Sequence, residues 1–388
     1  MLEKSVMTLF FIILFWLTLL LCLATYAIYP LVVWLIGVIK PLHIEKKSFT
    51  PFVSVIIPAY NEARHIAKKI ENTLAIDYPK DKMEILVGSD GSTDDISSIM
   101  ERYISDAVFF FPFAENRGKT AVQNDLVTNA KGDILVFTDA ASFISTEAVT
   151  ALVSNFNDPR VGCVAGRMHF LGTKKNLTTQ SQGLYWRYES KIRELESRLG
   201  SLIGVDGPLY AVRADDYVPL GHDMISDLLT PLLIIAQDKK AVLEYHALVE
   251  EEPTEKTTQE FNTRRRIVLR GLIGLFNHKE LLNSLKHPML SGQIFFHKIL
   301  RWFVGPLVAL NFLACIVIPS SSFFAGMRLM YAVFFLLAGA GWLAWKKGMK
   351  VRLLVIPYYF LLVNAAATAG ILDFIRNKRV VSWKPVRE

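Results

Sequence analysis

Apolar and polar positions are distributed unevenly along this chain. Ser5 to Ile39 runs for 35 residues without a charged side chain, well beyond the ~20 residues a helix needs to cross the hydrocarbon core. The pattern predicts one long tilted span, or a span with an interfacial extension, with Pro30 as its expected break. The run is too long for a signal-peptide core and no small-residue cleavage site follows it, so it reads as an anchor. Three further uncharged stretches lie near the other end: Trp302 to Met327, Leu329 to Trp345 and Leu353 to Leu372. That makes four candidate spans.

The polar middle, residues 48–275, has a different rhythm. Apolar β-branched runs at Pro51–Ile57, Met83–Gly88, Ala107–Phe111 and 133–138 are separated by helical patterns. Strands alternating with helices predict an α/β domain with an open, mostly parallel sheet. Two of the strands run out into carboxylates, Asp90 and Asp139. Ligands of such sheets bind beyond the carboxyl ends of the strands, so both acids are expected at one cleft. Asp94 is expected to cap a helix over 95–103.

Composition changes the picture in two ways. Hydrophobic residues make up 52% of the chain and mean hydropathy is +0.31, which fits a membrane protein. The net charge of +7 could indicate nucleic acid, but the basic residues flank apolar spans, where they face anionic lipid; no nucleic-acid partner is expected. Lys40, Lys46, Lys47 and the basic 264–301 stretch put the middle domain on the cytoplasmic side of an inner membrane. The three cysteines form no disulfide framework. One conflict remains: one span before the domain and three after it leave the tail outside, yet Arg376, Lys378, Arg379, Lys384 and Arg387 prefer the inside.

The motifs narrow the chemistry. No G-x-G-x-x-G follows a strand and no Walker A sequence is present, which argues against dinucleotides and P-loop chemistry. Asp90 to Glu101 mimics an EF-hand loop, but Asp95 stands where the turn needs glycine. Carboxylates beside Arg117 and Lys119 suit a nucleoside diphosphate, bridged by a divalent cation. The strings VSVIIPAYNE, ILVGSDGSTDD, NRGKTAVQNDLVTNAKGDILVFTDA and GVDGPLYAVR occur in that order. Together they resemble the membrane-bound family 2 glycosyltransferases, inverting enzymes of GT-A fold that include hyaluronan, chitin and cellulose synthases.

The resemblance implies transfer of a sugar from a nucleotide sugar, usually UDP-linked, to a hydroxyl. It implies a nucleotide on Asp90, a metal (Mg²⁺ or Mn²⁺) at Asp139, and Asp227 as catalytic base. Ala59, Tyr60 and Glu62 of the first string, Arg117 and Lys119 beside the acids, Asp206 between two glycines and Arg266 of the basic helix complete the expected donor-binding set. An attacking hydroxyl needs such a base within reach, and a departing diphosphate needs cations. The domain divisions that follow are an anchor at 1–47, a catalytic domain at 48–253, basic or amphipathic interface helices at 254–300, transmembrane helices at 301–375 and a basic tail at 376–388.

Two departures from the family pattern matter. Ala141 replaces the second carboxylate of the D-x-D motif, which weakens metal binding; Ser142 and Asp206 are candidates to help. The Q-x-x-R-W motif degenerates to Thr263, Arg266 and Ile267. Loss of the tryptophan that would stack on an acceptor sugar argues for a non-processive enzyme. Tyr185, Trp186 and Tyr188 could line an acceptor groove, and Glu189 could meet the acceptor or pair with Arg193. The amphipathic 271–300 segment would lie on the inner leaflet, within reach of a lipid-linked or glycan acceptor. A processive synthase and a catalytically inactive scaffold are the alternatives.

Overall fold

The computed structural model describes residues 2–170, 177–251, 257–319, 321–347, 349 and 351–381. The chain opens with α1 (Leu2–Leu23), a five-residue π turn and α2 (Tyr29–Ile39). Pro30 does not break this run. Proline removes the N–H that would bond the carbonyl of Tyr26, and the hydroxyl of Tyr188 donates to that carbonyl instead, at 2.8 Å. The π turn at Ala24–Ile28 takes up the misfit.

The domain that follows is built as the alternating pattern requires. In chain order its elements are β1 (Val53–Ala59), α3 (Ala63–Leu74), β2 (Met83–Asp90), α4 (Ile96–Met100), β3 (Val108–Phe113), α5 (Lys119–Asn129), β4 (Ile134–Thr138), β5 (Phe143–Ile144), α6 (Ala148–Ser154), β6 (Val161–Phe170), α7 (Leu177–Ser197), β7 (Leu209–Arg213), α8 (Ser226–Ala236) and β8 (Lys240–Glu251). They form one eight-stranded mixed sheet, ordered β3-β2-β1-β4-β7-β6-β8-β5. The first four neighbours are parallel, with Val55 level with both Ile85 and Val136. Strand β7 then runs antiparallel to β4.

β1, β2 and β4 are buried along their full length, which is why they read as continuous apolar runs rather than alternating ones. Their two faces feed separate cores. Val55, Ile57, Ile85, Val87 and Val136 pack under α3, while Ile56, Leu86, Leu135 and Phe137 pack with Val122 and Leu126 of α5. Gly88 permits the second contact: a Cβ there would lie 2.5 Å from Val122. Asp94 does not cap α4, whose first flanking residue is Asp95. Its carboxylate accepts from the Ala63 N–H at 2.8 Å, tying the loop after β2 to the start of α3.

Beyond the sheet come α9 (Thr257–Asn277), α10 (Pro288–Gln293), α11 (Leu300–Trp302), α12 (Val304–Val317), α13 (Ser322–Lys346) and α14 (Arg352–Ile375). Three helices have the length and apolar character of membrane spans: 5–39, 322–346 and 353–375. The 288–317 pair is bent by 61° at its break. α14 lies along α9, with Val268 packed on Ala367 and Ile371, and with Arg265 bonded to Asp373 at 2.5 Å.

The tail resolves the topological conflict. Arg379 pairs with Asp223 at 2.6 Å, and the Val381 carbonyl lies against Gly118. The segment after α14 therefore shares a side with the α/β domain, which calls for an even number of crossings between the two. The helices 322–346 and 353–375 supply that number, leaving the bent 288–317 pair as the segment that need not cross. In a cysteine-free background, Arg376→Cys and Arg102→Cys should react with a membrane-impermeant maleimide from the same face of sealed vesicles. Labelling from opposite faces would contradict this topology.

Candidate active site

The carboxyl ends of the strands open into a cavity of ≈ 500 Å³ between the sheet and the C-terminal helices. Its lining includes Glu62, Lys119, Asp139, Ala141, Ser142, Asp206, Gly207 and Asp227 from the domain, Arg266 from α9, and Trp302, Val363, Asn364 and Ala367 from the apolar helices.

Asp227 stands in the first turn of α8 and is the most constrained acid in the cavity. Its own carbonyl would normally serve the N–H of residue 231, but that residue is proline. The N–H of Val205 takes the carbonyl at 2.9 Å, which fixes the Gly204–Pro208 loop against the start of α8. Gly207 is the close-approach residue of that loop. A Cβ on it would lie 3.3 Å from Asp227 Oδ2 and 3.4 Å from Lys119 Nζ, so the acid and the ammonium flank one point. Burial pushes the Asp227 carboxyl above its ordinary value. Lys119 pulls it back, Asp139 pushes it further up, and Arg270 and Lys298 pull it down.

Asp139 ends β4 and pairs with Lys119. Beneath its turn lies Lys69, fully buried on α3, donating to Thr138 Oγ1 at 2.8 Å and to the Ser142 carbonyl at 2.6 Å. Burial lowers the Lys69 ammonium to about 7, against the opposing pull of Asp139. Ala141 presents only a methyl group. Ser142 Oγ is buried and has no hydrogen-bond partner. Among the described residues, no group of three or more His, Cys, Asp or Glu side chains is placed to hold a metal.

Asp90 lies behind this surface rather than on it. It is fully buried, and its two oxygens accept from the N–H groups of Arg117 and Gly118, each at 2.8 Å. It thus shapes the loop that launches α5 and its Lys119. Gly118 has φ +92°, a conformation that favours glycine. Arg117 turns away to pair with Asp125 and to stack over Phe113 at 4.5 Å. Ala59 is buried at the end of β1. Tyr60 is half-buried, while Glu62 bonds His65 at 2.7 Å. Between them Asn61, at φ 52°, bridges two loops: its N–H reaches Ser92 Oγ at 3.0 Å and its Oδ1 takes the Thr93 N–H at 2.8 Å.

The four arginines of α9 separate by helical phase. Arg264 pairs with Glu260 and Arg265 with Asp373. Arg266 and Arg270, one turn apart, share the face toward Asp227. Arg266 lines the cavity. Burial lowers it from its ordinary value, and Asp227 opposes that shift. Arg270 clamps the loop before α8, donating to the carbonyls of His222 (3.0 Å) and Met224 and to Thr120 Oγ1 (3.1 Å).

Two readings from the sequence change here. Glu189 does not pair with Arg193. It bonds Arg301 at 2.6 Å and His297 at 3.2 Å, while Arg193 bonds Asp206 at 2.5 Å. Tyr188 serves the anchor rather than an open groove, through its bond to Tyr26 and its place under Arg301. The side chains of Tyr185 and Trp186 lie outside the described residues. Lys69 and His297 carried no motif. The signal for Lys69 was a lone lysine on the Ile66–Ile70–Thr73 stripe of α3, the face that packs on the sheet.

Residues 54–216 match the family model described as "Glycosyl transferase family 2". An N-acetylglucosaminyltransferase of Azorhizobium caulinodans is 31% identical over 184 residues, 46% of this chain and 46% of that protein. The poly-beta-1,6-N-acetyl-D-glucosamine synthase of Staphylococcus aureus is 25% identical over 181 residues, 45% of this chain and 43% of that protein. These matches span less than half the length of the curated relatives. In fold, the chain is similar to the mannosyltransferase PcManGT from Pyrobaculum calidifontis, solved with GDP-Man and Mn²⁺. That likeness has a TM-score of 0.69 at 22% identity and covers 94% of this chain and 99% of that one. With the sheet order, the two strand-end acids and the α8 carboxylate already in place, residues 54–216 are similar to the family 2 glycosyltransferases, in a domain of GT-A-like fold joined to apolar helices of membrane-spanning length.

Proposed function

We propose that this protein transfers a sugar, with inversion, from a nucleotide sugar to a hydroxyl of a membrane-associated acceptor, at the cytoplasmic face of an inner membrane and without processive polymerisation. The observation that carries this is the half-buried Asp227, desolvated and facing Lys119, in a cavity lined in part by the apolar helices. A carboxylate raised by desolvation is a stronger base than an exposed one, and it can take the proton of an attacking hydroxyl. Lys119 and Arg266 supply positive charge where a diphosphate would depart. Asp90 acts on the donor side by holding the loop that presents Lys119. The names of the curated relatives favour an N-acetylhexosamine donor, and the structural neighbour's GDP-Man puts a guanine nucleotide sugar on the same panel.

The turn after β4 suits a hard divalent cation. Asp139 offers one carboxylate, and the unpartnered Ser142 hydroxyl offers a second oxygen nearby. Mg²⁺ accepts a site with few protein ligands. When bound, the ion would neutralise charge on the departing diphosphate. Ala141 removes one protein ligand, so the affinity rests largely on the donor itself. Ile267 stands on the cavity wall where a stacking tryptophan would grip a polymer, which supports addition of one or a few sugars.

A panel of labelled UDP- and GDP-sugars against the membrane-embedded protein tests the reading. Transfer should occur with one donor class and yield short products, while long polymer would refute the non-processive assignment. Asp227→Asn should lower kcat at least ~100-fold with little change in donor KM; a wild-type rate would remove Asp227 as the base. The base must be ionised to work, so activity should fall as pH drops through the raised Asp227 value, and the acid limb should lie above that of an ordinary aspartate. Lys119→Met removes the cation that pulls this value down, and should move the limb to higher pH. EDTA should abolish transfer, and Ala141→Asp should lower the Mn²⁺ concentration needed for half-maximal rate about tenfold, ~1.4 kcal/mol of binding. An unchanged metal requirement in that variant would show that the ion sits elsewhere.

A further inference from the structure

One cavity residue carries two buried hydrogen-bond donors without acceptors. Arg193 of α7 is only 7% exposed and lines the same cavity as Asp227. Its Nη1 donates to Asp206 Oδ2 at 2.5 Å. Its Nε and Nη2 are buried and have no hydrogen-bond partner. Those two nitrogens form the side edge of the guanidinium, a planar fork that matches two oxygens of one carboxylate or phosphate. A buried donor without an acceptor is costly, and here two stand together on the edge best suited to an oxyanion.

The neighbouring acids do not satisfy this fork. Both oxygens of Glu189 are engaged, Oε2 by Arg301 at 2.6 Å and Oε1 by His297 at 3.2 Å, with Lys298 at 3.7 Å. Glu196 is held by Tyr29 and by His297 at 2.6 Å, and its Oε2 faces the Ile203 N–H at 3.4 Å. Their charge is therefore already countered. Lys298 also approaches the Gly204 end of the Gly204–Pro208 loop, where a Cβ would lie 3.4 Å from its Nζ. Trp302, Val363 and Ala367 give the cavity an apolar stretch of wall, while Glu251 and Glu260 line it elsewhere. An anion on the Arg193 fork has the guanidinium and Lys298 for countercharge, with the apolar stretch in the same cavity.

We propose that the Nε–Nη2 edge of Arg193, oriented by Asp206 and assisted by Lys298, binds a phosphate group on the acceptor, and that the acceptor's hydrocarbon lies along the α14 side of the cavity. This rests on the glycosyl-transfer reading and names its second substrate as a lipid phosphate. Asp206 is then a positioning residue: it occupies Nη1 and leaves the fork free. The Gly204–Pro208 loop carries both Asp206 and the close-approach Gly207 beside Asp227, so an acceptor held by Arg193 lies near the base.

The test is binding of farnesyl phosphate, farnesol and inorganic phosphate to the full chain in detergent, alongside donor turnover. Farnesyl phosphate should bind at least tenfold more tightly than farnesol. Arg193→Gln should erase that preference while leaving donor KM unchanged. Arg193→Lys keeps the charge but loses the fork, and should recover no more than part of the affinity. Asp206→Asn, which leaves the fork intact, should retain a preference for the phosphate; this variant and Arg193→Lys carry the test if Arg193→Gln does not fold, as judged by its thermal unfolding. Equal affinity for farnesol and farnesyl phosphate, or an undiminished preference in Arg193→Gln, overturns the proposal. Inorganic phosphate binding as tightly as farnesyl phosphate overturns its lipid half. A wild-type protein that turns over no donor sinks the glycosyl-transfer reading yet leaves the binding difference measurable; intact turnover without that difference sinks this proposal alone.

Discussion

A carboxylate taken out of water must be compensated or it will hold its proton, and the site depends on how Asp227 is compensated. No ion pair locks it. Lys119 stands beside it but is bonded to Asp139, and Arg270 is spent on loop carbonyls. Asp227 thus sits in a field of cations without being neutralised by any one of them, with burial and Asp139 pushing its proton affinity up. A tight salt bridge would have made it a poor base, whereas full isolation would have kept it protonated. The intermediate arrangement requires Lys119 to be shared between two acids. That in turn requires the loop before α5 to be rigid, which Asp90 secures from behind through two backbone N–H groups.

The cavity belongs to both halves of the molecule. The sheet contributes the charged floor, while α9 and α14 contribute a wall that mixes Glu260, Arg264, Arg266 and Arg270 with apolar side chains. The halves are joined by specific polar contacts: Arg270 of α9 to Thr120 Oγ1 and the Met224 carbonyl, Gln293 Nε2 to the Ser201 carbonyl at 3.0 Å, and Arg301 to Glu189 at 2.6 Å. Such contacts fix orientation more than they add stability, because each charge gives up hydration to form them.

Much of this was legible in the sequence. The apolar runs of β1, β2 and β4 and the helical patterns between them gave the sheet, and the acids at strand ends gave Asp139 its place in the cleft. What stayed hidden depended on which neighbour a side chain meets across the fold. Glu189 and Arg193 are one turn apart and looked like a pair, but Asp206 and Arg301, from distant segments, reached them first. Asp90 looked like a ligand-facing acid and is instead enclosed. Lys69 carried no motif, and the approach of α3 to the 138–142 turn buries it against Thr138 and the Ser142 carbonyl. Arg264, Arg265 and Arg266 looked alike in a string, though a helix turns each by about 100° and sends the first to Glu260, the second to Asp373 and the third into the cavity.

Pro231 lies inside α8, where a proline is normally a defect. Its missing N–H leaves the carbonyl of the catalytic turn open, and Val205 closes it. A redesign guided by helix propensity would choose this position first for replacement, and by local criteria would improve the helix. The new N–H would compete with Val205 for a single carbonyl and loosen the loop that carries Asp206 and Gly207. Helix propensity and loop geometry are set against each other at this residue, so selection for the better helix alone would loosen the Gly204–Pro208 loop.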